Sequence, residues 1–155
     1  MNTEIPYFTQ EIVKNFRTLQ DREYVKRTVN GDYEPVNYPT NSSFRFWVNK
    51  EFRNFEPHWH ASTEIIVPIE NRVTVHVSGQ EYLLHPGDIF VIPDGVLHDL
   101  ICNEDGVRLI FLFDLSALQP IKGFPYLNST FSQPLLIRPT DKIYNKEIEL
   151  LYRMF

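Results

Sequence analysis

The sequence predicts a mainly β fold, a sandwich or closed barrel of short strands with a helical segment at each end. Three observations carry this. Val73, Val75 and Val77 alternate with Thr74, His76 and Ser78, the period of a half-buried strand. Apolar runs of strand length recur from Phe44 to Leu115, separated by turn clusters such as Ser78-Gly79-Gln80, Pro86-Gly87-Asp88 and Pro93-Asp94-Gly95. His58, His60 and Glu64 all stand at even positions, and Glu64 runs into the β-branched Ile65-Ile66-Val67. One extended strand would turn all three to one face, whereas a helix would set positions 58 and 60 about 200° apart.

The elements follow in order. Residues 1–8 read as a loose end. From Thr9, a plausible N-cap, Ile12, Phe16, Leu19 and Glu23 or Tyr24 recur at helical spacing and predict an amphipathic arm that covers the barrel or meets a partner. Asn30-Gly31-Asp32, Pro35, Pro39 and Asn41-Ser42-Ser43 make residues 30–42 a loop. Phe44, Phe46 and Val48 then alternate with Arg45, Trp47 and Asn49 as a strand. Glu64 to Ile69 is a second, in which Pro68 marks an edge or a bulge because it lacks an N–H. Glu70-Asn71 turns into Val73–Val77, and Gly79-Gln80 into the strand after it. Strands at Ile89–Ile92, Val96–Ile101 and Val107–Leu115 follow. Residues 116–139 hold Pro120, Gly123, Pro125 and Pro134, an irregular connection with one added strand at Leu135-Leu136-Ile137. Thr140 or Asp141 is placed to cap a last helix, whose Ile143, Ile148, Leu151 and Phe155 form an apolar stripe. The organisation expected is an arm over 1–42, a barrel over 43–138 and a helix starting in 139–155. That helix reaches Phe155 without a stop signal, so the chain is expected to be cut from a longer one.

Composition narrows the function classes. The chain has 155 residues, 43% hydrophobic and 14% aromatic, which suits one domain with a real core and excludes disorder. A net charge of −5 speaks against nucleic-acid binding by this chain alone, because phosphates need clustered Lys and Arg. Arg22, Lys26 and Arg27, interspersed with Asp21 and Glu23, read as a solvated face. The single cysteine, Cys102, excludes an internal disulfide and reads as a small buried strand residue. The N-terminus lacks the basic lead and apolar run of a secretion signal, and no stretch approaches the ~20 apolar residues of a membrane span. A cytoplasmic protein without a membrane partner is expected.

The chemistry concentrates in His58, His60, Glu64 and His98. Imidazoles and a carboxylate suit a divalent ion such as Zn, Ni, Mn or Fe. The same side chains also suit a polar pocket that bonds an effector directly, and both readings stay open. Candidate pocket walls are Phe44 or Phe46, Ile66, Val75, Phe90 or Ile92, and Leu100, with Arg45 and Tyr82 as further polar candidates. Trp59, at odd parity, points away from the histidines; His76 and His85 read as surface residues.

Spacing adds a family likeness. His58-Trp59-His60, three residues, Glu64, six residues and Asn71 resemble the first motif of the cupin superfamily, with Asn71 where the pattern has Gly. Gly87, five residues, Pro93-Asp94-Gly95, two residues, His98, three residues and Cys102 resemble the second, with Cys102 where the pattern has Asn. The likeness covers residues 58–102 and implies a double-stranded β-helix, or jelly-roll, barrel. Glu64-Ile65-Ile66, Tyr82-Leu83-Leu84-His85-Pro86-Gly87-Asp88 and the Phe-rich run before His58 are similar to one branch, the N-terminal sensing domain of AraC-family transcription regulators. That resemblance implies a small-molecule effector in the barrel, a homodimer through the last helix, and DNA contact only through a domain beyond residue 155. The rival implication of the four-residue set is a metal-dependent cupin enzyme, an isomerase or dioxygenase.

Overall fold

Period-two sequence becomes a sandwich because alternate side chains of the nine strands among the described residues meet between two sheets. The structure, a computed structural model, describes residues 14, 15, 18, 27–50 and 53–153. The strands are β1 (Phe44–Asn49), β2 (Phe55–His58), β3 (Thr63–Glu70), β4 (Val73–Val77), β5 (Gln80–Leu84), β6 (Ile89–Ile92), β7 (His98–Ile101), β8 (Val107–Phe113) and β9 (Leu135–Ile137). They form a five-stranded sheet, β1-β8-β3-β6-β9, and a four-stranded sheet, β2-β7-β4-β5. All strand pairs are antiparallel. Sequence neighbours lie in opposite sheets at the β2–β3 and β6–β7 crossovers, the wrapping of a jelly roll.

Two apolar layers follow. Ile66, Phe90, Ile92 and Ile110 of the larger sheet meet Val73, Val75, Val77 and Leu100 of the smaller one, filling the space between them. The outer face of the larger sheet is apolar as well: Val48, Val67, Leu109 and Phe111 pack under Tyr144, Ile148 and Leu151 of the helix Tyr144–Tyr152. This is why β6 and β8 read as continuous apolar runs rather than alternating ones. The β4 strand, whose other face meets solvent, keeps its alternation.

Several sequence expectations change here. Phe44 and Phe46 do not face the barrel interior. They lie on the outer face, where the Phe46 and Phe111 ring centroids are 5.0 Å apart. Arg45 takes the inward position and is buried, its guanidinium 4.5 Å over the Trp47 ring. Pro68 marks a bulge rather than an edge: β3 is central, and its register against β8 shifts between Pro68 and Glu70. Residues 116–139 are less irregular than expected, with a 3-10 turn at Leu115–Leu118 and a short helix at Phe124–Thr130. Neither Thr140 nor Asp141 caps the last helix. Asp141 instead accepts a hydrogen bond from the Arg138 N–H, closing the turn before it. The predicted N-terminal helix lies outside the described residues except Lys14, Asn15 and Thr18, which are helical. Arg27 does not join a solvated face, because its Nε donates to the Glu34 carboxylate at 2.5 Å; Arg22 and Lys26 lie outside the described residues.

Two turn positions explain themselves. Asn71 has φ 62°, the left-handed conformation that the Gly of the motif would supply and that Asn tolerates. Gly106 sits so close to the neighbouring turn that a Cβ would lie 2.5 Å from the Glu70 carbonyl oxygen. Gly106→Ala is therefore expected to cost about 1–3 kcal/mol by forcing a backbone shift. Ile148→Ala, which opens a cavity under the last helix, should cost about 2–5 kcal/mol. Urea unfolding monitored by circular dichroism measures both.

Candidate metal centre

The four candidate residues arrive from four different places: β2, the crossover after it, β3 and β7. His58 ends β2 and pairs across the sheet with His98, the first residue of β7. One extra residue in β2, between the Phe55↔Leu100 and His58↔His98 pairs, lets both Phe55 and His58 face inward. His60 lies in the crossover to the other sheet. Glu64 sits in β3, between Leu112 of β8 and Ile92 of β6. The expectation of one strand presenting three groups on one face is therefore corrected. The bend at Ala61-Ser62 carries the chain from one sheet to the other, so parity along a single strand does not apply. The crossover is pinned by the Gly95 N–H, which donates to the His60 carbonyl at 2.8 Å and ties it to the turn before His98.

The four groups nevertheless converge. One donor atom from each of His58, His60, Glu64 and His98 lies within 4.8 Å of the others, and all four residues are buried. Each imidazole is fixed by its own Nδ1, which donates to a main-chain carbonyl two residues away: Glu56 at 2.8 Å, Ser62 at 2.9 Å and Val96 at 2.8 Å. A carbonyl has no proton to give, so Nδ1 carries the hydrogen and Nε2 presents its lone pair to the centre. His60 Nε2 lies 3.0 Å and His98 Nε2 lies 3.2 Å from Glu64 Oε2. The His98 contact is off hydrogen-bond direction, which leaves a fully buried ring nitrogen without a bond. Two donors about 2.1 Å from one ion, held 90–110° apart, are themselves about 3.0–3.4 Å apart. The distances, the tautomers and the unbonded His98 Nε2 all fit a divalent cation.

Burial and mutual charge set the protonation. Burial pushes His58 down to about 4, with the neighbouring His98 charge acting the same way. Burial alone would raise the Glu64 carboxyl, but the His60 and His98 rings that face it outweigh burial and hold the group below the usual carboxylate range. For His98, burial acts downward and the Glu64 carboxylate outweighs it, so its pKa is raised.

The surroundings depart from expectation in places. Tyr82 packs at a tilt against Phe90, ring centroids 4.7 Å apart, while its hydroxyl donates to Gln80, away from the centre. Ile66, Val75, Phe90, Ile92 and Leu100 are packed against one another in the inter-sheet core. His76 is partly exposed between Asp99 and Glu81, and His85 is exposed. Trp59 leaves the cluster, as its parity suggested, and its ring lies 4.7 Å from that of Tyr33. The cysteine reading is matched in burial only: Cys102 is buried beside the Arg108 guanidinium, but it lies just past the end of β7 rather than in a strand. A cleft of about 540 Å³ lies next to the cluster, lined by Tyr33, Tyr38, Ser62, Asp94, Asp114 and Phe124 among others. It adjoins the cluster through Ser62, whose carbonyl holds His60 and whose hydroxyl bonds Tyr38 at 2.6 Å.

One residue escaped the sequence reading. Glu34, in the stretch read as a loop, is buried, and its Oε2 lies 3.5 Å from His58 Nε2. Nothing in its spacing relates it to the motifs; a lone carboxylate between Tyr33 and Pro35 has no periodic signature.

With the geometry in place, comparison with known proteins points to a class. Residues 46–113 match the family model described as Cupin domain. Over residues 46–113, that match and the two antiparallel sheets describe a cupin-type jelly-roll barrel. Solved structures similar to the chain include a Neisseria meningitidis protein, at 16% identity and TM-score 0.47, over 64% of this chain and 93% of that one. A cupin-2 domain containing protein from Shewanella frigidimarina is similar at 21% identity and TM-score 0.46, over 63% and 87% of the two chains. A mutant of Bacillus subtilis oxalate decarboxylase is similar at 22% identity and TM-score 0.40, over 48% and 22%. No curated protein matches the chain. Among the described residues, no helix is long and apolar enough to cross a membrane.

The shifts predict how metal-free stability depends on pH. The raised His98 pKa contributes stability that is complete below its unfolded value near 6.5 and is lost as pH rises through the folded value. The lowered His58 value acts oppositely: between about 4 and 6.5 the unfolded chain binds the extra proton, so stability falls as pH falls. The melting temperature of metal-free protein should peak near the unperturbed histidine range and decline on both sides. His98→Gln should remove the decline on the alkaline side, as a pH series of thermal melts will measure.

Proposed function

We propose that the chain is the effector-sensing domain of an AraC-type transcription regulator, with a divalent cation held by His58, His60, Glu64 and His98 as part of its sensing site. The observation that carries this reading is burial: the side chains of the three histidines and Glu64 are 0–7% exposed. A catalytic ion must be reached by substrate at each turnover, whereas a sensing centre needs only an arrangement that one state holds better than another. The adjoining cleft offers a small-molecule effector a place from which Ser62 and Tyr38 reach His60. When bound, the cation supplies charge that holds β2, β3 and β7 together; the protein's own residues orient the imidazoles and exclude water.

The regulator context rests on the likeness of the Glu64–Ile66 and Tyr82–Asp88 phrases to that family. In this reading the domain forms a homodimer, and DNA is contacted by a separate domain encoded after residue 155. The helix Tyr144–Tyr152 packs Tyr144, Ile148 and Leu151 on its own sheet, while its Leu150 and the preceding Ile143 stay exposed for a partner. A second reading, a metal-dependent cupin isomerase or dioxygenase, is favoured by the donor set itself, three imidazoles and one carboxylate.

Protein purified without added metal is expected to carry, or take up, one divalent ion per chain. At a free concentration a hundredfold above Kd, the ion should raise stability by about 2.7 kcal/mol. His60→Ala should weaken uptake at least tenfold while the circular dichroism spectrum stays that of a β protein. Unchanged metal affinity in His60→Ala removes the cluster from the mechanism. In the full-length protein, operator binding that responds to metal or effector supports the sensor, and turnover by the isolated domain supports the enzyme.

A further inference from the structure

We infer that Glu34 is a fifth donor to this centre, a carboxylate that gives up Arg27 when it takes a share of the cation. The inference rests on the metal reading above and adds to it a residue outside the four-group set. Glu34 Oε2 is shared between two neighbours. Arg27 Nε donates to it at 2.5 Å, and His58 Nε2 lies 3.5 Å away on its other side. The second contact is not a hydrogen bond. The His58 hydrogen sits on Nδ1 and goes to the Glu56 carbonyl, so a carboxylate oxygen faces a nitrogen lone pair. Two lone pairs at this distance repel unless a cation lies between them. Its separation from His58 is near that of two donors on one ion, about 3.4 Å when each bond is about 2.1 Å and the angle is near tetrahedral, but Glu34 stands outside the four donors that lie within 4.8 Å of one another, so it joins them only by moving inward.

An ordinary buried ion pair with Arg27 would explain the burial of Glu34 but not its aim at His58. Nor does Arg27 complete itself there, because its buried Nη2 makes no hydrogen bond while the guanidinium lies 5.2 Å over the Phe55 ring. The pair is half-satisfied on the Arg27 side, the condition under which a competing cation can displace it.

The strap that bears Glu34 is built to transmit such a move. The Glu34 N–H donates to the Trp59 carbonyl at 2.9 Å, and the Trp59 N–H donates to the Asp32 carbonyl at 2.8 Å. The Tyr33 and Trp59 rings are in contact, and the Trp59 indole N–H reaches the Asp32 carboxylate at 3.4 Å. Trp59 is thus bonded to the strap on one side and flanked by His58 and His60 in sequence. A shift of Glu34 toward the centre must change the surroundings of its indole, and Tyr33 also lines the adjoining cleft.

The test is a Zn(II) titration by calorimetry and by Trp59 fluorescence, in a Trp47→Phe background that leaves Trp59 as the remaining tryptophan. Wild-type Glu34 should give a fluorescence change that saturates with one Zn(II). Glu34→Gln should bind Zn(II) about tenfold or more weakly and lose that change. Arg27→Met should bind as tightly as the parent or more tightly, because the competitor is gone. Metal-free thermal melts confirm that each variant is folded, and Glu34→Asp, with the charge kept and the reach shortened, should fall between parent and Glu34→Gln. Equal affinity and an unchanged fluorescence response in Glu34→Gln overturn the inference while leaving the four-group centre standing. Weaker binding in Arg27→Met also overturns it, since Arg27 would then hold Glu34 in place rather than compete for it. If the parent takes up no Zn(II), or His60→Ala binds as the parent does, the centre itself fails and the fifth donor with it.

Discussion

Three imidazoles held by their Nδ1 hydrogens to main-chain carbonyls, with the Nε2 atoms of His60 and His98 beside the buried Glu64 carboxylate and His58 within 4.8 Å of that group, are the constraint on which the rest of this structure depends. Each of those Nδ1 bonds is local, two residues along the chain, so ring orientation is set by the backbone at the end of β2, at the crossover and at the start of β7. A neutral imidazole aimed at a carboxylate in this way has little reason to stay there on its own. Without a cation, the cluster must lean on a proton at His98, whose raised pKa reflects the Glu64 charge winning over burial.

The scaffold around the cluster makes that orientation affordable. The larger sheet is covered on both faces, by the smaller sheet inside and by the helix Tyr144–Tyr152 outside. Each fully buried aliphatic side chain contributes about 1.5–3 kcal/mol. A core of this kind offsets the desolvation of Glu64 and the histidines, which no short hairpin could do. The same close packing fills the inter-sheet space with Ile66, Phe90, Ile92 and Leu100. Open volume lies instead beside the cluster, where the strap carrying Tyr33 and Tyr38 meets Ser62 and Asp114.

That strap joins the two functional features. Glu34 faces His58 from it, Tyr33 packs its ring against Trp59 from it, and Tyr38 bonds Ser62 from it. A ligand in the cleft and a cation at the cluster would therefore act on one short segment. Sensing needs this kind of shared element, because coupling between two sites requires a part of the fold whose arrangement both of them bias.

The sequence by itself determined the strand pattern, the turns and the identity of the four converging residues. Those signals are local: side-chain alternation in β4, Gly and Asn where φ is positive, and fixed spacing in His58–Glu64 and Gly87–His98. Tertiary structure alone decided how they converge. Strand parity put His58, His60 and Glu64 on one face, but the chain changes sheets at Ala61-Ser62, and the convergence comes from two sheets closing on each other. It also decided which side of β1 is buried. Phe44 and Phe46 look like interior residues by composition, yet Arg45 points inward because the larger sheet has a second apolar face for the phenylalanines to cover. Glu34 was illegible for the same reason: its place beside His58 depends on a loop pairing with Trp59, a long-range contact that no periodicity along the chain encodes.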